Sequence, residues 1–193
     1  MKILYLHQYF NTPRDSGGTR SYEMARRLVA WGHDVEMVTT ARNPADAFRG
    51  WKTTEEAGIR VHWLHVPYSN ALTYRERIAA FLRFAIGSTL KAASLEADVV
   101  FATSTPLTIA LPAVYTARRQ RIPMVFEVRD LWPKIPITVG AIKGRLPIVA
   151  ARWLERFAYR NAEQIVALSS GMKEGILRTG YPDENIHVIP NSS

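Results

Sequence analysis

The sequence predicts a doubly wound α/β domain on a mostly parallel sheet, on three observations. Short apolar, β-branched runs alternate with helix-period segments along the chain. Several of these runs are apolar nearly throughout, as strands covered on both faces are. And 193 residues with 47% apolar and 22% charged content suit one domain with a packed core.

The predicted strands are residues 2–7, 35–40, 59–66, 99–102, 124–128, 164–168 and 187–189, each rich in Val, Ile, Leu or aromatic residues. The predicted helices are 19–31, 74–94, 107–119, 148–161 and 171–179. In the first of them Met24, Leu28 and Trp31 recur at helical spacing, and Gly32 supplies a left-handed stop. Pro106 suits the entry to the third. Residues 41–57 are polar and without period, which predicts an irregular insertion or lid. The domain is expected to fill residues 1–190. Asn191, Ser192 and Ser193 follow a strand at a turn signal and read as the start of a linker.

With no cysteine, disulfides and thiolate metal sites are excluded, and a cytoplasmic protein is the natural reading. The opening segment is a strand, too short for a signal-peptide core, and no apolar run reaches membrane-spanning length. A net charge of +8 suits nucleic acid, an anionic membrane face or phosphorylated small molecules. No nucleic-acid recognition motif accompanies it, so nucleic acid is not expected as a partner.

Ligands of open α/β sheets bind beyond the carboxyl ends of the strands, where strand order reverses. With the first strand central, three loops line that crevice. The first carries Tyr9, then Ser16, Gly17, Gly18 and Thr19 at the opening of a helix, where paired glycines and free N–H groups suit a phosphate. The same residues equally make a plain turn with Ser16 as N-cap. The second loop holds Thr103, Ser104 and Thr105, whose hydroxyls bond sugars or, more ordinarily, cap a helix. The third ends a strand with Arg129, Asp130, Leu131, Trp132 and Pro133. There Arg129 suits an anion, Asp130 a hydroxyl and Trp132 a sugar face; the alternative is an Arg–Asp bridge that pins the loop. No Gly-x-Gly-x-x-Gly and no Walker lysine follow the first strand, so NAD and ATP readings fail.

These motifs, in this order, resemble the N-terminal domain of family 4 glycosyltransferases. The resemblance is carried by Ser16-Gly17-Gly18-Thr19 with Gly32-His33-Asp34-Val35, by Phe126-Glu127-Val128-Arg129-Asp130-Leu131-Trp132-Pro133, by Ala167-Leu168-Ser169-Ser170-Gly171-Met172-Lys173 and by Val188-Ile189-Pro190-Asn191-Ser192. It implies a Rossmann-like half of a two-domain GT-B fold and retaining transfer from a nucleotide diphosphate sugar, with neither metal nor other cofactor. Gly17, Gly18 and Thr19 would approach the donor phosphate. Tyr9, Ser104 and Trp132 would lie on the acceptor side, facing a glycan or polyprenyl-linked acceptor. Asp130 and Arg129 are the catalytic candidates, although many relatives carry His where Arg129 stands, and arginine is no base. The glutamate-paired donor half would lie beyond this chain. The Glu-Val-Arg-Asp-Leu-Trp-Pro form is most similar to the amino-sugar transferases of surface-polysaccharide synthesis. The alternative is a non-catalytic module holding a phosphorylated sugar or an anionic lipid head group.

Two helices carry unbalanced positive charge. In the segment 74–94, Arg77, Phe84 and Lys91 recur every seven residues and predict a membrane-facing stripe. In 148–161, Arg152, Arg156 and Arg160 stand four residues apart. A solvated charged face over core aromatics explains the same pattern.

Overall fold

A computed structural model describes residues 1–43, 48–69, 71–131 and 144–191. The elements in chain order are β1 (Lys2–Leu6), α1 (Arg20–Ala30), β2 (Asp34–Ala41), β3 (Trp51–Glu56), β4 (Ile59–His65), α2 (Tyr74–Ala93), β5 (Val99–Thr103), α3 (Ala110–Gln120), β6 (Met124–Val128), α4 (Arg145–Asn161), β7 (Gln164–Ala167), α5 (Ser170–Leu177) and β8 (Ile186–Val188). The strands form one eight-stranded sheet in the order β3-β4-β2-β1-β5-β6-β7-β8. Neighbours pair in parallel except β3, which runs antiparallel to β4. This is the doubly wound α/β architecture that the alternation predicts.

Central β1 is fully covered: Leu4, Tyr5 and Leu6 are inaccessible to solvent. Helix α1 packs on one face, over Ile3, Tyr5, Val35 and Met37. The other face holds the larger core, in which Phe84 of α2, Val114 of α3, Tyr159 of α4 and Ile176 of α5 meet Leu4, Leu6, Val100 and Phe126. The chain moves from β1 to β2 in one direction and from β5 to β6 in the other. The sheet therefore has its reversal between β1 and β5, and a crevice opens there at the strands' carboxyl ends.

Four expectations change. Residues 51–56 are not irregular: they form β3, with Trp51 opposite Leu64 and Glu56 opposite Ile59. Trp31, expected on the buried face of α1, is 72% exposed, because the helix turns Ser21 and Ala25 inward and ends at Ala30. Ser16 is no N-cap; Thr19 holds that position and makes no side-chain capping bond. Phe84 is fully buried, so the heptad through Arg77, Phe84 and Lys91 marks the core-facing side of α2 and not a membrane-facing stripe. Helix α2 itself starts as a strong helix should, with Thr73 and Glu76 forming a reciprocal capping box. Gly32 keeps its predicted role with φ of 84°.

Candidate functional site

The loops after β1, β5 and β6 converge on a cleft of about 320 Å³ whose walls include His7, Tyr9, Gly18, Arg129 and Asp130. The glycine pair divides its work. Gly17 adopts φ of 128°, and a Cβ there would stand 2.7 Å from Asn11 Nδ2, so the tight turn excludes a side chain. Gly18 has open space around its Cβ position, which leaves its backbone approachable. Asn11 Nδ2 donates to the Gly18 carbonyl at 3.3 Å and its Oδ1 accepts from Arg42, tying the loop to the end of β2. With Thr19 making no capping bond, the first-turn N–H groups of α1 remain for a ligand or solvent.

On the opposite wall Ser104, 1% exposed, accepts the Arg129 N–H at 2.9 Å through Oγ, and Asp130 Oδ2 accepts the Thr105 hydroxyl at 2.9 Å. Thr105 holds a positive φ of 102°, a strained conformation of the kind that clusters at ligand sites. Among the described residues no ion pair joins Arg129 to Asp130, so the bridge alternative is not realised. Ser104 is placed to shape the loop under Arg129; its buried hydroxyl does not line the cleft. Trp132 lies outside the described residues.

Two groups escape a reading by motif. His7, 3% exposed, lines the cleft, and its Nδ1 has no partner among the described residues. Burial, with the cations Arg129 and Arg42 nearby, drives its pKa down to about 3, so the ring is neutral and able to hydrogen-bond without charge. The second group is a strut beneath the cleft. Arg20 Nε meets the fully buried Glu127 Oε1 at 2.9 Å, and its terminal nitrogens donate to the carbonyls of Ile189 and Pro190, each at 3.0 Å. Glu127 Oε2 accepts the Thr103 hydroxyl at 2.9 Å. Glu127 was visible in sequence only as part of a motif; its partner is 107 residues away.

A larger hollow of about 570 Å³ flanks the cleft, lined by Phe10, Arg14, Arg42, Lys52, Trp63 and Tyr68 among others. Arg42 lines the hollow and stands 5.5 Å over the ring of Tyr9, which lines the cleft. The hollow lies beside β2 and β4, away from the strand-order reversal, and contains neither the glycine pair nor Arg129 and Asp130. The smaller cleft is therefore the better candidate for chemistry.

The family description "Glycosyl transferase 4-like domain" matches residues 17–192, beginning at the glycine turn. The chain belongs to this glycosyl transferase 4-like family. No curated protein matches it. Among solved structures, this glycosyl transferase 4-like domain is similar to sucrose-phosphate synthase from Thermosynechococcus elongatus, with a TM-score of 0.68 and 13% identity over 100% of this chain and 48% of that one. It is similar to HepE from Anabaena, solved with UDP and glucose, with a TM-score of 0.60 and 17% identity over 100% and 45%. It is also similar to a UDP-GlcNAc 2-epimerase from Methanocaldococcus jannaschii, with a TM-score of 0.57 and 14% identity over 99% and 46%. The chain thus spans about half the length of these structures. At such identities the likeness establishes the Rossmann-like fold of a GT-B half. A sucrose-phosphate synthase and a UDP-GlcNAc 2-epimerase share that fold, so the chemistry must come from the site.

Proposed function

We propose that this chain is the acceptor-side half of a retaining glycosyltransferase, which moves a sugar from a nucleotide diphosphate sugar to a glycan or polyprenyl-linked acceptor at the cytoplasmic side of surface-polysaccharide synthesis. The observation that carries the reading is the convergence of Gly18, Arg129 and Asp130 on one cleft at the strand-order reversal. Open backbone at Gly18 and the start of α1 suit the donor diphosphate, whose bond to the sugar breaks in the reaction. Arg129 supplies positive charge where the leaving phosphate gains negative charge. Asp130 suits the acceptor hydroxyl that forms the new bond, and neutral His7 offers a hydrogen bond without adding charge. The aromatic and cationic hollow beside Tyr9 suits further sugars of the acceptor. The UDP and glucose in the Anabaena relative support a nucleotide sugar here, and the family match supports transfer over epimerisation. The amino-sugar preference rests on the Glu-Val-Arg-Asp-Leu-Trp-Pro motif alone.

The test uses the full-length protein with nucleotide sugar, with and without lipid-linked glycan acceptor. Acceptor-dependent release of nucleoside diphosphate, lost in Asp130→Asn, is the expected result. Binding of nucleotide sugar without any acceptor-dependent release would replace this reading with a non-catalytic binding module.

A further inference from the structure

The outer surface of the helical layer carries apolar residues that the core does not use. On α2, Ile78, Leu82, Ile86 and Leu90 follow one another at four-residue steps and are 38%, 46%, 66% and 73% exposed. On α4, Leu146, Val149 and Trp153 are 83%, 63% and 58% exposed. Both helices lie on the same side of the sheet, flanking α3. Single exposed apolar residues are ordinary, but two stripes on one side of a domain mark a surface that meets something.

Charge identifies what it meets. Eight arginines are exposed on α2, α3 and α4, among them Arg83 and Arg152 next to the stripes, against one exposed acid, Glu76, among the described residues of these helices. Glu76 is already tied into the capping box of Thr73. Glu155 is half-buried, and burial pushes its carboxyl up to about 7, so it offsets little of the positive charge. A second copy docking face to face would set arginines against arginines. A nucleic-acid backbone would engage the arginines and leave the Leu, Ile and Trp side chains without a role. Anionic lipid uses both: arginines at the head groups and apolar side chains below them.

We propose that the outer face of α2 and α4 docks on an anionic lipid surface. No helix among the described residues is long and apolar enough to cross a membrane, so the contact is peripheral. The helices run back from the carboxyl ends of the strands, so Ile78, Leu146 and Val149 lie near the end of the domain where the cleft opens. The docking itself stands on this surface and not on the sugar chemistry.

The experiment is co-sedimentation of the chain with vesicles of phosphatidylcholine alone or with one-third phosphatidylglycerol. The expected result is pelleting with the anionic vesicles only, weakened at high salt, where screening shortens to about 3 Å at 1 M. Two variants separate the contributions: Leu82→Gln with Ile86→Gln, Leu146→Gln and Trp153→Gln, and separately Arg83→Gln with Arg152→Gln. The first lowers partition more than tenfold, and the second lowers it roughly fivefold per arginine. Thermal unfolding should be unchanged in both. Pelleting with neither vesicle, equal pelleting with both, or unchanged pelleting of folded variants would overturn the proposal. So would a dimer in sedimentation that the first variant dissociates. None of these results depends on glycosyl transfer.

Discussion

Replacing Arg20 with methionine removes one partner of a pair whose other member cannot reach water. Glu127 is inaccessible, and after the substitution its carboxylate keeps a single side-chain donor, the Thr103 hydroxyl at 2.9 Å. Breaking a buried ion pair from one side costs about 3–5 kcal/mol, and here two bonds to the Ile189 and Pro190 carbonyls are lost as well. Glu127→Gln is milder, about 1–3 kcal/mol, because an amide needs less solvation and Arg20, 14% exposed, keeps its carbonyl partners. The double variant has no buried charge left to strand. Its loss should therefore fall short of the sum of the single losses by about 2 kcal/mol. Urea unfolding measures this directly: with a slope near 3 kcal/mol per M, Arg20→Met moves the midpoint down by about 1 M or more. Hydrogen exchange adds a local readout, since the Ile189 amide, bonded to the Ala167 carbonyl at 2.9 Å, should exchange faster once Arg20 is gone. Additive losses across the cycle, or an unmoved midpoint for Arg20→Met, would refute the strut.

Gly17→Ala forces a side chain onto φ of 128° and against Asn11, and should cost about 1–3 kcal/mol while weakening nucleotide-sugar binding, read by calorimetry on the full-length protein. His7 is neutral when folded, with a pKa near 3, and protonates near 6.5 when unfolded. Its contribution is thus complete above pH 6.5 and is lost as pH falls toward 3, by about 2–3 kcal/mol at pH 4.5. His7→Gln should lose that much less stability than the parent between pH 7 and 4.5 in paired denaturation curves. Ser104→Ala removes the acceptor of the Arg129 N–H and, on the proposed function, should lower kcat of the sugar transfer about tenfold with little change in KM. Phe84→Ala should cost about 3–5 kcal/mol by thermal unfolding, while Leu90→Ala, 73% exposed, should stay within about 0.5 kcal/mol.

Local pattern made most of the sheet legible. The covered strands are apolar on both sides, and their parallel pairing follows from their alternation with helices, whereas the inner place of β1 is a matter of strand order, which the fold supplies. The Gly17–Gly18 turn and the Arg129–Asp130 pair were legible as motifs, and the fold brings Gly18, Arg129 and Asp130 to one cleft. What could not be read is what depends on direction or on distance along the chain. A seven-residue recurrence cannot distinguish an inward stripe from an outward one: the recurrence through Phe84 marks the buried side of α2, while Ile86 and Leu90 face outward. Ser104 looked like a ligand contact because a hydroxyl at a strand end reads the same whether it is open or buried. Arg20 and Glu127 meet only through the tertiary fold. Strand β3 failed for a further reason: Trp51-Lys52-Thr53-Thr54-Glu55-Glu56 has only one covering neighbour, and its polarity hides the period on which strand recognition rests.

That same polarity protects the sheet at its margin. A parallel sheet that ended at β4 would present a long row of open amide and carbonyl groups beside Val61 and Trp63, a template on which a strand from another chain would add. Reversing direction at β3 covers that row with a strand bearing Lys52, Glu55 and Glu56, whose charges discourage further growth. At the far margin β8 has only three residues, two of them exposed, and offers little to extend. The domain thus resists edge-to-edge polymerisation by terminating its sheet in charge on one side and in brevity on the other.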